Sequence, residues 1–122
     1  MTKDKLKYQV THEWLADDGS LAKIGITSYA AMKLGEINLV TLPKIGTHYN
    51  QGDVFATLES TKEVSELYMP VAGKITAINS IVENDAATIS DHPFENWIVE
   101  IQIDNPEDLK SLLDLNAYEN TL

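Results

Sequence analysis

Hydrophobic and polar residues alternate along much of this chain in short runs, which is typical of half-buried β-strands. Turn residues separate the runs, as in "ADDGS" and "PKIGTHYNQGD". The predicted strands are "HEWL", "SLAKIGI", "INLVTL", residues 54–59, residues 64–69, "KITAIN" and "WIVEIQI". In "INLVTL" the alternation places Ile37, Leu39 and Thr41 on one face. Many short strands with frequent turns predict an antiparallel β barrel or sandwich.

One segment between the strands changes period and predicts a short helix. In "TSYAAMKLGE", Thr27 or Ser28 is suited to cap a helix, and Gly35 is suited to end it. The alanines and leucine in between favour the helical conformation.

The C-terminal part predicts a loop and then a second helix. Residues 80–96 show no periodicity and are predicted to form a long, irregular loop. Asn105 is suited to cap a helix, with Pro106 at the first position. Leucines follow at helical spacing, at Leu109, Leu112 and Leu113. The sequence therefore predicts a mainly β fold with short helices, including a C-terminal one, as a single domain over residues 1–122.

Charge and composition narrow the classes of partner. The 122 residues carry 19 acidic and 9 basic side chains, a formal net charge of −10. Nucleic acid is not an expected partner, because phosphate contacts need clustered lysine and arginine. The lack of cysteine excludes disulfides, a cysteine nucleophile and thiolate metal sites. The start "MTKDKLKYQV" has no apolar signal core, and no segment approaches the ~20 apolar residues of a membrane span, so we expect a cytoplasmic protein.

The most informative side chain is Lys62, at the predicted turn between the two central strands. Its acidic neighbours are Glu59, Glu63 and Glu66. A catalytic lysine works as a neutral amine, whereas nearby carboxylates favour the ammonium form. We therefore do not expect Lys62 to be a nucleophile by itself. It is either a solvated turn residue or a substrate for another enzyme that activates it.

Other residues give no sign of a catalytic or metal site. His12, His48 and His92 are far apart and lack metal-ligand spacing. Ser60 has no glycines of the nucleophile-elbow type around it. No specific feature therefore favours an enzyme.

Six segments, in order along the chain, carry a resemblance to a known family. They are "KYQVTHEWL", "AKIGITSYAAMKLGEI", "VTLPKIGT", "GDVFATLESTKEVSELYMPVAGKI", "HPFENWIVEI" and "LLDLNAYENTL". The fourth contains Glu-Ser-x-Lys ahead of a Pro-Val-x-Gly turn. Together they resemble the H proteins of the glycine cleavage system, which are lipoyl carriers.

The resemblance implies a fold, a modification and a set of partners. The fold would be a monomeric barrel-sandwich hybrid of the lipoyl/biotinyl type, and Lys62 matches the lipoylated lysine. The lipoyl arm would carry the aminomethyl group of glycine, so the protein would be a carrier and not an enzyme. Its partners would be a pyridoxal phosphate glycine decarboxylase, an aminomethyltransferase, dihydrolipoamide dehydrogenase, and a lipoate ligase or lipoyl transferase.

The resemblance also suggests two contacts for the loaded arm. Glu13, in His-Glu-Trp, and Glu66, four residues after the lysine, match positions where a carboxylate would suit an aminomethyl cation. The alternative is that both are ordinary solvated acids.

Some positions depart from the family pattern. Thr61 stands where the family usually has valine, and Glu63 stands where it usually has alanine. These changes leave open a lipoyl relay or modification target outside glycine cleavage, or an unmodified interaction domain of the same fold. Lys33, in "AAMKL", resembles part of a biotin motif, but its predicted helix offers no hairpin tip, so we do not expect its modification.

Overall fold

Two antiparallel β-sheets make up most of the structure, a computed structural model that describes residues 3–122. The strands are β1 (Lys7–Tyr8), β2 (Glu13–Asp17), β3 (Leu21–Ile26), β4 (Ile37–Thr41), β5 (His48–Tyr49), β6 (Val54–Ser60), β7 (Val64–Tyr68), β8 (Gly73–Ile78) and β9 (Val99–Ile103). The α-helices are α1 (Ser28–Leu34), α2 (Ser80–Asn84), α3 (Ala87–Asp91) and α4 (Leu115–Glu119), and short 3-10 helices cover Lys3–Lys5 and Pro106–Ser111. The larger sheet has the order β1-β2-β3-β9-β8-β5, and the smaller one β4-β6-β7. The predicted mainly β fold with short helices is confirmed.

The inner faces of the two sheets share one hydrophobic core. The larger sheet contributes Ile24, Ile75 and Ile101, and the smaller sheet contributes Leu58 and Leu67. All of them are buried. Full burial of such a side chain contributes about 1.5–3 kcal/mol each. The fold therefore has a substantial hydrophobic core, and the chain has no cysteine that could form a disulfide.

A second hydrophobic cluster fastens the C-terminal segment to the first strands. It consists of Leu6, Tyr8, Trp14 and Tyr118. The rings of Tyr8 and Tyr118 stack with centroids 4.8 Å apart. The backbones of Tyr8 and Leu113 exchange two hydrogen bonds, of 2.8 and 2.9 Å. Helix α4 is thus held beside β1 and β2.

Helix α1 forms where the sequence predicts it. The Thr27 side chain accepts a hydrogen bond from the Ala30 amide at 3.3 Å, which caps the first turn. The helix ends at Gly35, whose φ of 76° lies in the region that favours glycine. The predicted cap and the predicted end are both confirmed.

The prediction of an irregular loop over residues 80–96 is wrong, because α2 and α3 lie in this segment. Each helix has five residues, too few to show a helical repeat in the sequence. Asn79 caps α2 through the Ile81 amide. Val82 and Ile89 place these helices against the core.

The predicted C-terminal helix is divided into two pieces. Asn105 does cap a helix, but the segment Pro106–Ser111 is a 3-10 helix. Asp114 then caps the separate helix α4 through the Ala117 amide at 2.8 Å. The leucine spacing did not reveal the break, because Leu112 and Leu113 pack in the connection rather than on one helical face.

The prediction that Ile37, Leu39 and Thr41 share one face of β4 is also wrong. A bulge between Ile37 and Leu39 shifts the register against β6. Ile37 is fully buried, whereas Leu39 is 51% exposed. Strict alternation fails here because a bulge inserts an extra residue into one strand.

None of the helices in residues 3–122 has the length and apolar character needed to cross a membrane.

Candidate functional site

Lys62 lies at the tip of the hairpin formed by β6 and β7. The last ladder pair before the tip joins Glu59 with Val64. The Ser60 amide then donates to the Glu63 carbonyl at 2.9 Å, which closes the turn. Lys62 is exposed. The predicted position of the lysine, at a hairpin tip, is confirmed.

The side chain of Ser60 braces this tip. Its Oγ accepts hydrogen bonds from the amides of Lys62 and Glu63, both at 3.2 Å. It also donates to the Glu63 carbonyl at 3.3 Å. The backbone that carries the lysine is therefore fixed by a local hydroxyl. In the sequence, Ser60 was assessed only as a possible nucleophile. Its position just before a tight turn is the signal that could have indicated this bracing role.

The stem of Lys62 lies against the end of α1. A Cβ added at Gly35 would be 3.6 Å from the Lys62 Cε and 3.8 Å from its Nζ. These are ordinary van der Waals distances. Gly35 therefore both allows the backbone conformation that ends α1 and leaves space beside the lysine.

The acidic side chains near the tip lie on two different sides of the hairpin. Glu59 pairs with Val64, and Thr57 pairs with Glu66. Since paired residues and alternate residues share a face, Glu59 and Glu66 are on the solvent face of the smaller sheet. Glu63 instead lines a cleft beside α1. Within residues 3–122, the Lys62 ammonium has no carboxylate oxygen within 4.0 Å.

This cleft, here called the α1 cleft, has a volume of about 180 Å³ and lies beside the hairpin. Its apolar lining residues are Ile26, Ala30, Leu34 and Leu67. Its polar lining residues are Thr11, His12, Lys33, Glu63 and Ser65. They come from the β1–β2 loop, β3, α1 and the hairpin. The family resemblance implies a cleft on the body for a loaded arm, but no local pattern in the sequence locates it, because its walls are remote from one another along the chain.

Glu13 is buried at the edge of β7. It is 1% exposed, so the alternative of a solvated acid is wrong for this residue. Its Oε2 accepts from the Tyr68 amide at 2.9 Å. Its Oε1 accepts from Gln9 Nε2 at 3.0 Å and from the Thr11 hydroxyl. Burial raises the pKa of the Glu13 carboxyl, and these hydrogen bonds partly oppose the rise.

The Glu13 contacts join the two sheets near the cleft. Gln9 Nε2 also donates to the Tyr68 carbonyl at 2.9 Å. Gln9 and Glu13 thus satisfy both backbone groups of Tyr68 on an edge strand. The structure therefore gives Glu13 a clear structural role, and its contact with an arm stays a prediction.

Glu66 has different surroundings. It is exposed, and its Oε1 accepts a 3.4 Å hydrogen bond from the Tyr68 hydroxyl. Its position is that of a solvated acid on the outer face. Its contact with an arm also stays a prediction.

The remaining residues singled out in the sequence are dispersed. Lys33 lies on α1 with its Nζ 5.1 Å from the Tyr29 ring centroid, in the helical context that the sequence predicts. His48 Nε2 contacts Asp104 at 2.6 Å, and His92 faces Glu95 at 4.0 Å.

His12 has a backbone conformation that is unusual for a residue with a side chain. Its φ of 79° is positive. Its Nδ1 lies 2.7 Å from the Tyr118 hydroxyl. Burial lowers the pKa of His12, and the charge of Lys33 lowers it further. Both effects favour the neutral form of His12, which lies in the wall of the α1 cleft.

Comparison with known proteins gives consistent matches over almost the whole chain. The family model "Glycine cleavage H-protein" matches residues 6–122. A probable glycine cleavage system H protein from Thermococcus gammatolerans is 41% identical, over 98% of this chain and 91% of the relative. A glycine cleavage system H protein from Chromohalobacter salexigens is 40% identical, over 93% of this chain and 88% of the relative.

A solved structure supports the same assignment. The crystal structure of a glycine cleavage system H protein from Mycobacterium marinum superposes with a TM-score of 0.87 at 31% identity, and covers 100% of both chains. The resemblance carried by the sequence motifs and the expected barrel-sandwich architecture are both confirmed. The chain belongs to the glycine cleavage H-protein family.

Proposed function

We propose that this protein is a lipoyl carrier of a glycine cleavage system, with the lipoyl group in amide linkage to Lys62 Nζ. The observation that carries the proposal is an exposed lysine amine at a braced hairpin tip, in a chain of this family. The protein is proposed to act as a carrier component and not as an enzyme.

The residues present fit a lipoyl group. Lys62 is exposed and accessible to a modifying enzyme, and the α1 cleft lies next to its stem. When bound, the lipoyl group supplies a dithiolane that takes up and releases a carried group together with electrons. The hairpin holds the origin of the arm in one place, which raises the effective concentration of the carried group at a docked partner.

The α1 cleft is the proposed resting place of the arm on the body of the protein. Its apolar side chains suit an alkyl chain, and Glu63 suits a cationic group. Glu66 is exposed on the opposite face of the hairpin, so it would meet such a group only on an arm that lies outside the cleft. Glu13 would contribute its carboxylate only where an arm replaces one of its three present donors.

The proposed partners act on the arm or attach it. They are the pyridoxal phosphate glycine decarboxylase, the aminomethyltransferase, dihydrolipoamide dehydrogenase, and a lipoate ligase or lipoyl transferase. A cytoplasmic location is part of the same proposal.

One observation favours a second candidate function. Glu63 adds a carboxylate directly beside Lys62 and within the α1 cleft, where the family usually has alanine. A lipoyl relay or modification target outside glycine cleavage would keep the modified lysine but use different partners.

The first experiment measures intact mass after incubation with lipoate, ATP and a lipoate ligase. We expect a gain of one lipoyl group, with water lost as the amide forms. Lys62→Arg should abolish the gain, whereas Lys33→Arg should leave it unchanged. An unmodified wild-type chain, with a ligase shown to be active on another carrier, would refute the proposal.

A second experiment separates the two candidate functions. The lipoylated chain is added to a purified glycine decarboxylase, and release of CO2 from glycine is measured. Stimulation that depends on the lipoylated chain supports the role in glycine cleavage. A modified chain that gives none, where a known H protein does, favours the relay.

A further inference from the structure

A single hydroxyl group joins two walls of the α1 cleft. The Tyr118 hydroxyl, on α4, lies 2.7 Å from His12 Nδ1 and 2.8 Å from Thr27 Oγ1. His12 belongs to the loop that forms one wall. Thr27 caps α1, which forms another. A C-terminal residue that does not line the cleft therefore holds both walls together.

Tyr118 is itself firmly placed. It is 3% exposed, and its ring stacks on Tyr8 with an interplanar angle of 10°. The His12 ring contacts the rings of Tyr118 and Tyr29, at centroid distances of 5.7 and 4.8 Å. The positive φ of His12 is thus maintained by two aromatic contacts of its ring and by the bond to Tyr118.

The available donors and acceptors determine which group donates in each of the two hydrogen bonds that join Thr27, Tyr118 and His12. Thr27 Oγ1 already accepts from the Ala30 amide. Within the described chain, its own proton has one acceptor, the Tyr118 oxygen. Tyr118 must then donate its proton to His12 Nδ1. If Tyr118 instead donated to Thr27, the hydroxyl proton of Thr27 would have no acceptor. Thr27 is 1% exposed, and buried polar groups are normally hydrogen-bonded.

This direction determines the tautomer of His12. Because Nδ1 accepts, the proton of the neutral ring is on Nε2, for which residues 3–122 provide no hydrogen-bond partner. The titratable groups in contact with the ring are Tyr29 on α1 and Tyr118 on α4, and the charge of Lys33 acts on it. Glu63, on the hairpin, lines the same cleft. A neutral N–H donor suits an uncharged acceptor, such as the amide oxygen of an acylated lysine. It adds no positive charge beside Lys33.

We propose that Tyr118 is a positioning residue of the α1 cleft, whose hydroxyl fixes His12 in the tautomer that carries its proton on Nε2. The cleft then presents a directed N–H donor to the arm. This second statement rests on the proposed function, because it requires an arm on Lys62. The first statement does not, since it concerns the unmodified chain.

The test uses two-bond proton–nitrogen correlation NMR of the full chain with isotope-labelled histidine, near neutral pH. His12 is assigned by substituting His48 and His92 with glutamine in turn. We expect the wild type to show His12 mainly with its proton on Nε2. Tyr118→Phe keeps the stacked ring but removes the hydroxyl. It should lower the ratio of the Nε2-protonated to the Nδ1-protonated tautomer by roughly fivefold, the equivalent of one ordinary hydrogen bond.

Tyr8→Phe is the matched control. It removes the hydroxyl of the other ring in the stack, which donates to the Lys3 carbonyl, and should leave the His12 ratio unchanged. A wild-type His12 with its proton mainly on Nδ1 overturns the proposal. So does a Tyr118→Phe chain with an unchanged ratio.

The same spectra, recorded after lipoylation, test the second statement. We expect the His12 Nε2–H signal to shift in the lipoylated wild type and to shift less in lipoylated Tyr118→Phe. If mass shows the lipoyl group but the signal does not move, the statement about the arm is wrong and the proposed function stands. If mass shows no lipoyl group, the proposed function is refuted, and the tautomer of the unmodified chain still decides the first statement.

Discussion

At the scale of single residues, Glu13 has the environment least expected for its type. A carboxylate is rarely buried unless it is paired or hydrogen-bonded. Glu13 meets that condition through three donors, on Gln9, Thr11 and Tyr68. Its burial raises its pKa. The residue therefore links the β1–β2 loop to the edge of the hairpin strand.

The raised pKa predicts how Glu13 affects stability as pH changes. The folded protein holds the Glu13 proton more tightly than the unfolded chain does. Tighter proton binding by the folded state stabilises the protein. This stabilisation is fully present below the ordinary carboxyl pKa, and it is lost as pH rises through the raised pKa of the folded state. Glu13→Gln cannot titrate. We therefore subtract the unfolding free energy of Glu13→Gln from that of the wild type. This difference should fall as pH rises above the ordinary carboxyl pKa.

Urea denaturation at a series of pH values measures this difference. Glu66→Gln is the matched control, because Glu66 is exposed. The control should give a difference that changes little with pH. A difference for Glu13→Gln that rises with pH would show that the hydrogen bonds outweigh burial.

At the scale of secondary-structure elements, the hairpin tip depends on Ser60. Its hydroxyl accepts from two amides in the turn, those of Lys62 and Glu63. Ser60→Ala removes both bonds. We expect faster hydrogen exchange at the Lys62 amide, by about fivefold for a loss of ~1 kcal/mol. We also expect slower lipoylation, because the lysine is held less precisely.

Ser60→Thr is the conservative variant for this prediction, since it keeps the hydroxyl. It should retain slow exchange and wild-type modification. Equal exchange in Ser60→Ala and in the wild type would mean that the backbone bond between Ser60 and Glu63 is enough to hold the tip.

The pairing of β2 with β3 depends on a glycine. Gly25 lies opposite Trp14, and a Cβ at Gly25 would be 2.5 Å from the Trp14 Cζ2. Trp14 is fully buried and donates from Nε1 to the Pro93 carbonyl at 3.0 Å, so its ring cannot easily move. We expect Gly25→Ala to lower the free energy of unfolding by about 1–3 kcal/mol, the usual cost of overpacking.

A double-mutant cycle with Trp14→Phe checks the cause. If the clash with the indole is responsible, Gly25→Ala should cost less in the Trp14→Phe background than in the wild type. Equal costs in the two backgrounds would point to the strand backbone instead.

At the scale of the whole molecule, negative charge dominates. The net charge is −10, and the acids near Lys62 lie on both sides of the hairpin tip. Such a field favours partners with basic docking surfaces. Changing Glu59 and Glu63 together to glutamine should slow lipoylation about threefold to tenfold at low salt. The difference should shrink at high salt because exposed charges are screened.

The control for this prediction has the same change in net charge at another place. Glu107 and Glu119 are exposed in the C-terminal segment, and changing both to glutamine should leave the lipoylation rate nearly unchanged. Equal rates for the hairpin variant and the wild type would show that these acids are not recognised.

Much of the fold was predictable because it follows from local pattern. Alternation located the long strands, and the cap at Thr27 and the stop at Gly35 located α1. The short strands β1 and β5 have two residues each, too few for any periodicity. The helices α2 and α3 were missed because they are also short, and the exposed side of β4 was wrongly predicted because a bulge breaks its alternation. The single domain over residues 1–122 stays a prediction.

Family membership and the position of Lys62 at a turn follow from the amino-acid sequence, because motifs and turn residues are contiguous in the chain. The rest of the site depends on tertiary packing. The α1 cleft gathers residues from Thr11 to Leu67. Glu13 meets Tyr68 across 55 positions, and His12 meets Tyr118 across 106. Such contacts depend on how sheets and helices pack, which no local periodicity encodes.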